Sequence, residues 1–196
     1  MEDHELIQKV LLNNDHTAFA ILVDKYQKMV VNTCRGFVNS YADAEDLTQD
    51  VFIELFESLP NFRYESKLST WIYRIAVNKS LNYVRKRKRD SFFSNITSTF
   101  GLPEKENSFI THNSESSKGA DHEINTKELH STLKQAINKL PRNQKISFIL
   151  NKYQDLSYKE VADVMDISLS SVESLIFRAK CNLQKILSDY YKNNTR

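Results

Sequence analysis

The sequence predicts an all-α protein: two small helical domains joined by a flexible linker, the C-terminal one containing a helix-turn-helix. Three observations carry this. The 196 residues include only three Gly and three Pro, and no run alternates Val, Ile or Thr with polar residues as a half-buried strand does. Apolar side chains recur at helical spacing in two blocks, 1–90 and 127–196. Between them, 91–126 is rich in Ser, Thr and Asn, holds Gly101 and Gly119, and shows no period.

In chain order, Leu6, Val10 and Leu11, then Phe19, Leu22, Val23, Tyr26, Val30 and Cys34, mark two amphipathic helices, with Asp15 placed to cap the second. Residues 43–59 form a third, with Leu47, Val51, Leu55 and Leu59 along one stripe. Asp46, Gln49, Asp50, Phe52 and Phe56 lie away from that stripe. An acidic face is commonly just solvated, but two aromatics beside it suit a protein partner. Pro60 ends the helix.

The stretch Asn61–Arg89 sets nine Lys and Arg against a single Glu. On a helix opening at Ser69 or Thr70, residues Ile72, Ala76, Val77, Leu81, Tyr83 and Val84 make an apolar arc. Arg74, Asn78, Asn82 and Arg85 fall on the remaining strip. Cations neutralise phosphate, aromatics stack on bases, and Asn hydrogen-bonds a base edge, so this segment suits nucleic acid. A surface helix docking on a partner's acids is the plainer alternative. In the linker, Phe92, Phe93, Ile96, Phe100, Leu102, Phe109 and Ile110 are too many for a solvated tether.

The C-terminal block opens with Leu129, Leu133, Ala136, Ile137 and Leu140 on one helical face, and Pro141 starts a second helix carrying Ile146, Ile149, Leu150 and Tyr153. Ser157 and Glu160 have capping-box spacing. A short helix to Met165, a turn at Asp166-Ile167 and a helix from Ser168 follow. On the last, Val172, Ile176, Ala179 and Leu183 point one way, and Ser170, Ser171, Ser174, Phe177 and Arg178 the other. Small Ala162 permits close helix approach and Ile167 plugs the turn: the helix-turn-helix pattern.

Charge divides the chain. Residues 1–59 carry 4 basic and 11 acidic groups (−7), 60–89 carry 9 and 1 (+8), 90–126 carry 2 and 6 (−4), and 127–196 carry 12 and 7 (+5), giving the net +2. Two basic blocks fit nucleic acid and the acidic one a separate contact. No window is apolar enough for a membrane span and the acidic N-terminus lacks a signal-peptide core, so a cytoplasmic protein is expected. Cys34 and Cys181 read as buried or half-buried free thiols. His4, His16, His112, His122 and His130 lack metal-ligand spacing, and no phosphate loop or nucleophile elbow occurs. No cofactor, metal or catalytic site is expected, and an enzyme is not.

The segments DAEDLTQDVF (43–52), STWIYRIAVNKSLNYVRK (69–86) and LSYKEVADVMDISLSSVESLIFRAK (156–180), in this order and with a linker between, resemble the extracytoplasmic-function (ECF) sigma factors of the sigma-70 family. The resemblance implies that 1–90 is sigma region 2, which binds the polymerase β′ clamp helices and opens the −10 element. The linker would thread through polymerase. Residues 127–196 are implied to be region 4, which reads the −35 element while docking on the β flap. It places Asp46, Gln49 and Asp50, with Phe52 and Phe56 beside them, at polymerase. Phe62, Arg63, Tyr64 and Lys67 fall in the loop that pockets a flipped base. Asn78 and Asn82 match positions near the separating strands, with Trp71 and Arg74 also at −10 DNA and the basic run Arg85–Arg89 holding phosphates nearby; Tyr158, Lys159, Ser170, Ser171, Ser174, Phe177 and Arg178 fall at upstream DNA. An anti-sigma protein is an implied partner. The chain departs from the family at Glu173 and Leu175, where cations are common, and at Asp166, where Gly is. Asp tolerates a left-handed turn. The rival reading is a free-standing helix-turn-helix regulator; a lesser one is an RNA-binding protein.

Overall fold

The computed structural model describes residues 2–99 and 131–194, and every regular element among them is helical. Helices α1 (Asp3–Asn13), α2 (His16–Arg35) and α3 (Tyr41–Ser58) lead through a 3-10 turn at Leu59–Asn61 into the long α4 (Leu68–Thr99). The second unit comprises α5 (131–138), α6 (Arg142–Tyr153), α7 (Tyr158–Met165) and α8 (Leu169–Asn194).

Local chemistry sets the boundaries. α1 ends where Asn14 turns left-handed, and Asp15 caps α2 by accepting from the Thr17 and Ala18 amides at 2.9 and 3.1 Å. Pro60 lies in the 3-10 turn that closes α3. Backbone helix continues through Thr99, past the Asp90 at which the composition changes. The rest of the expected linker, with Phe100, Leu102, Phe109 and Ile110, lies outside the described residues, as do Leu129 and three of the five histidines.

The first core gathers Leu6 and Ile7 of α1, Leu22 and Val30 of α2, Leu47, Val51 and Leu55 of α3, and Ile72, Ile75 and Ala76 of α4. Each fully buried aliphatic side chain contributes about 1.5–3 kcal/mol. The second core joins Ile137, Ile149, Leu150, Val161, Val172 and Ile176. It also takes in Phe37, Tyr73 and Val77 from the N-terminal unit. That is a correction to the helical wheel, which put Val77 and Leu81 in one arc with Ile72. α4 is buried on two sides, by its own unit and by the helix-turn-helix unit. A second correction concerns the thiols: Cys34 is buried, but Cys181 is exposed.

Candidate polymerase and nucleic-acid interfaces

Asp46, Gln49 and Asp50 are exposed on the outer side of α3, because Ala44, Leu47 and Val51 turn inward. Phe52 does not join them. It is only 7% exposed and belongs to the first core, so the expected exposed aromatic pair is corrected. Phe56 is half-buried, edge-on to Phe19 at 4.9 Å and stacked on His16. The apolar group on this face is Ile53, 57% exposed. It had a signal in the sequence, lying three residues after Asp50 and four after Gln49. On the side toward α4, Lys79 bonds Glu54 at 2.8 Å, and that contact raises the lysine's pKa.

Beyond the 3-10 turn the chain builds an aromatic corner. Phe62 is buried, with Tyr64 at 4.9 Å and Trp71 at 5.7 Å, both edge-on. Trp71 Nε1 donates to Ser58 Oγ at 3.4 Å. Tyr64 is held at φ 58, a conformation a bulky residue adopts only when its surroundings impose it, and its ring stays half exposed. Arg63 and Lys67 are exposed on the same loop. A cleft of about 570 Å³ opens here, lined by Phe62, Tyr64, Lys67 and Ser69, and across from them by α1 and α2. That volume lies in the usual range for small-molecule sites, about 300–1,000 Å³. The α1–α2 wall was missed in the sequence. His4 packs on Tyr64 at 4.8 Å, and Asp3 accepts from Lys25 and from Tyr26 Oη at 2.6 Å. Burial, then this bond, pushes the Tyr26 phenol well above its ordinary pKa. No local pattern joins Asp3 to Tyr26; only the fold does.

The α4 strip runs from this cleft toward the basic end. Asn78, Asn82 and Arg85 are exposed, whereas Arg74 is half-buried with Nη2 donating to the Asp163 carbonyl at 2.6 Å. Arg87 reaches back to Asp43 of α3 at 2.6 Å, across the Tyr83 ring.

The helix-turn-helix forms as its residues require. Ser157 Oγ accepts from the Glu160 amide at 3.3 Å while Glu160 accepts from the Ser157 amide at 3.0 Å, which holds the Glu160 carboxyl below its usual range. Asp166 adopts φ 56, as its side chain permits, and Ile167 N–H closes on the Ala162 carbonyl at 3.2 Å. Ser168 Oγ accepts from the Ser171 amide at 3.2 Å and shares hydrogen bonds with the Ser170 and Ser171 hydroxyls, tying those side chains to the first turn. Ser170, Ser171, Ser174, Phe177 and Arg178 are exposed along one side of α8, Phe177 at 68%. Lys159 is exposed too, but Tyr158 is half-buried against the second core. Among the described residues no three His, Cys, Asp or Glu could hold a metal ion, and no helix is long and apolar enough to cross a membrane.

Comparison with known proteins agrees with this division. Sigma-70 region 2 matches residues 22–90 and sigma-70 region 4 matches residues 130–183. The RNA polymerase sigma-H factor of Pseudomonas aeruginosa is 31% identical over 188 residues, covering 95% of this chain and 94% of its own. The ECF RNA polymerase sigma-E factor of Escherichia coli K12 is 33% identical over 187 residues, covering 92% and 91%. The fold is also that of CnrH in its complex with the cytosolic domain of CnrY, with a TM-score of 0.64, 21% identity, and coverage of 95% of this chain and 97% of that one. The chain belongs to the sigma-70 family, in its ECF group: the alternative sigma factors that direct RNA polymerase to promoters.

Proposed function

We propose that residues 1–90 dock on the β′ clamp helices of core RNA polymerase and hold the opened −10 strand, while 127–196 read the −35 element and dock on the β flap. The outer face of α3 (Asp46, Gln49, Asp50 and Ile53) is the polymerase contact. The aromatic cleft takes a flipped base, with Phe62 and Trp71 behind it, Tyr64 at its mouth and Arg63 and Lys67 for phosphate. Arg74, Asn78, Asn82 and Arg85 follow the strand onward. Unstacking a base costs a few kcal/mol, and stacking on protein aromatics returns about 1–3 kcal/mol per base. Strand capture therefore needs no fuel. Upstream, Phe177 suits a thymine methyl, Ser174 and Arg178 suit base edges or phosphate, and Lys159 suits the backbone.

The observation that carries this reading is the aromatic cleft beside basic α4, in the same chain as an uncovered recognition helix. A free-standing regulator needs only the second. The protein acts in the bacterial cytoplasm, is not itself an enzyme, and is held in check by an anti-sigma protein. Purified core polymerase with this chain on genomic DNA should yield promoter-dependent transcripts, and Ile53→Asp should abolish them by preventing holoenzyme assembly. Tight sequence-specific duplex binding without polymerase, and no transcripts with it, would instead establish the regulator.

A further inference from the structure

Among the outward side chains of the recognition helix, Glu173 has the wrong charge for phosphate. It is exposed, next on the helical wheel to Phe177 and one turn past Leu169, which are themselves 68% and 48% exposed. The stripe that packs inward, Val172, Ile176, Ala179 and Leu183, is centred about a quarter of the helix circumference away. No structural task holds the carboxylate. Ser168 caps the helix, its Oγ accepting from the Ser171 amide at 3.2 Å, and Glu173 lies beyond the first turn, where it serves neither cap nor helix dipole. The residues three and four positions away are Leu169, Ser170, Ile176 and Phe177, so no cation faces it along α8. Among the described residues no ion pair or side-chain hydrogen bond involves it.

The major groove narrows what such a group can meet. Phosphates repel a carboxylate, and so do the N7 and O6 acceptors of guanine and the O4 acceptor of thymine. Only two groups there donate, the N6 amino of adenine and the N4 amino of cytosine. Adenine sets its N7 acceptor beside the donor, which opposes a side chain that can only accept. Cytosine presents its donor with no acceptor of its own alongside. We propose that Glu173 is a specificity-determining residue of the −35 contact, accepting a hydrogen bond from the N4 amino group of one cytosine. Phe177 stands one turn further along, about 6 Å, so the thymine methyl that it suits lies within about two base pairs of that cytosine. This rests on the assignment of 127–196 to the −35 element.

A promoter recovered from the transcripts that core polymerase and this chain yield on genomic DNA supplies the template, its upstream element randomised and the rest kept. Transcript yield from the wild-type holoenzyme should favour cytosine about tenfold at one position, with thymine favoured nearby. Glu173→Gln should move the preference at that position, and at no other, to adenine, because a Gln amide meets adenine N6 and N7 together. Glu173→Ala should level it. Both substitutions change an exposed side chain without partners, so thermal unfolding and holoenzyme assembly should match the wild type. A cytosine preference that is absent, or that neither substitution moves, overturns the role of Glu173 and leaves 127–196 on the −35 element. An equal gain in yield by both variants on every template, the mark of mere phosphate repulsion, does the same. Yield indifferent to every upstream base pair, or no promoter-dependent transcript at all, removes the −35 assignment, and the inference with it.

Discussion

Replacing Lys145 with methionine should stabilise the protein. The lysine is 8% exposed, yet among the described residues its ammonium has one oxygen partner, Asn138 Oδ1 at 2.7 Å, besides the Phe37 ring. Burial, with the nearby charges of Lys88 and Lys134, brings its pKa from 10.5 down to about 8. The folded value lies below the unfolded one, so between pH 8 and 10.5 the unfolded chain binds more protons and stability rises with pH. Below that window the charged form costs its full penalty. A shift of this size corresponds to about 3 kcal/mol at pH 7. Residual solvent screening and the lost ring contact reduce the expected gain of Lys145→Met to about 1–2 kcal/mol. Asn138 is exposed and loses nothing to burial. Urea unfolding at pH 7 and pH 10 measures it: the variant midpoint should be higher at pH 7, with the gap narrowing at pH 10. A destabilised variant, or a gap equal at both pH values, refutes the reasoning.

Tyr26→Phe removes the hydrogen bond to Asp3 and should cost about 1–2 kcal/mol in thermal unfolding. Because the folded state keeps the phenol proton above its ordinary pKa, wild-type stability should fall as pH rises past about 10. The phenylalanine variant should lose that part of the alkaline slope. Ser157→Ala breaks the capping box and should cost about 1 kcal/mol by denaturant titration, with α7 losing amide-exchange protection first. Phe177→Ala, at an exposed site, should change stability by less than about 0.5 kcal/mol. It should nonetheless reduce promoter-specific transcription by the holoenzyme, read as transcript yield against a template lacking the upstream element.

Features set by neighbours in the chain were legible in advance. The Asp15 cap, the Ser157–Glu160 box and the left-handed Asp166 each depend on a few adjacent residues, and all three form. The inward stripe of α3 and the polar outer side of α8 likewise follow from helical period alone. What escaped depends on distant segments. Phe52 is one residue past Val51 on the wheel, and only the way α3 packs against the rest of the first core decides that both go inside. The α1 wall of the aromatic cleft joins Asp3 to residues 22 positions and more along the chain. Tyr73 and Val77 look like members of an ordinary amphipathic helix until a second unit packs on the opposite side.

That two-sided burial of α4 bears on how the protein can be dissected. Cut at the end of the N-terminal unit, the chain would present Phe37, Tyr73 and Val77 to water as one sticky patch, without the second-unit side chains that now shield it. An N-terminal fragment should therefore self-associate more strongly than the intact chain. Exchanging those three for polar residues should make the fragment monomeric while leaving the first core, which none of them enters, intact.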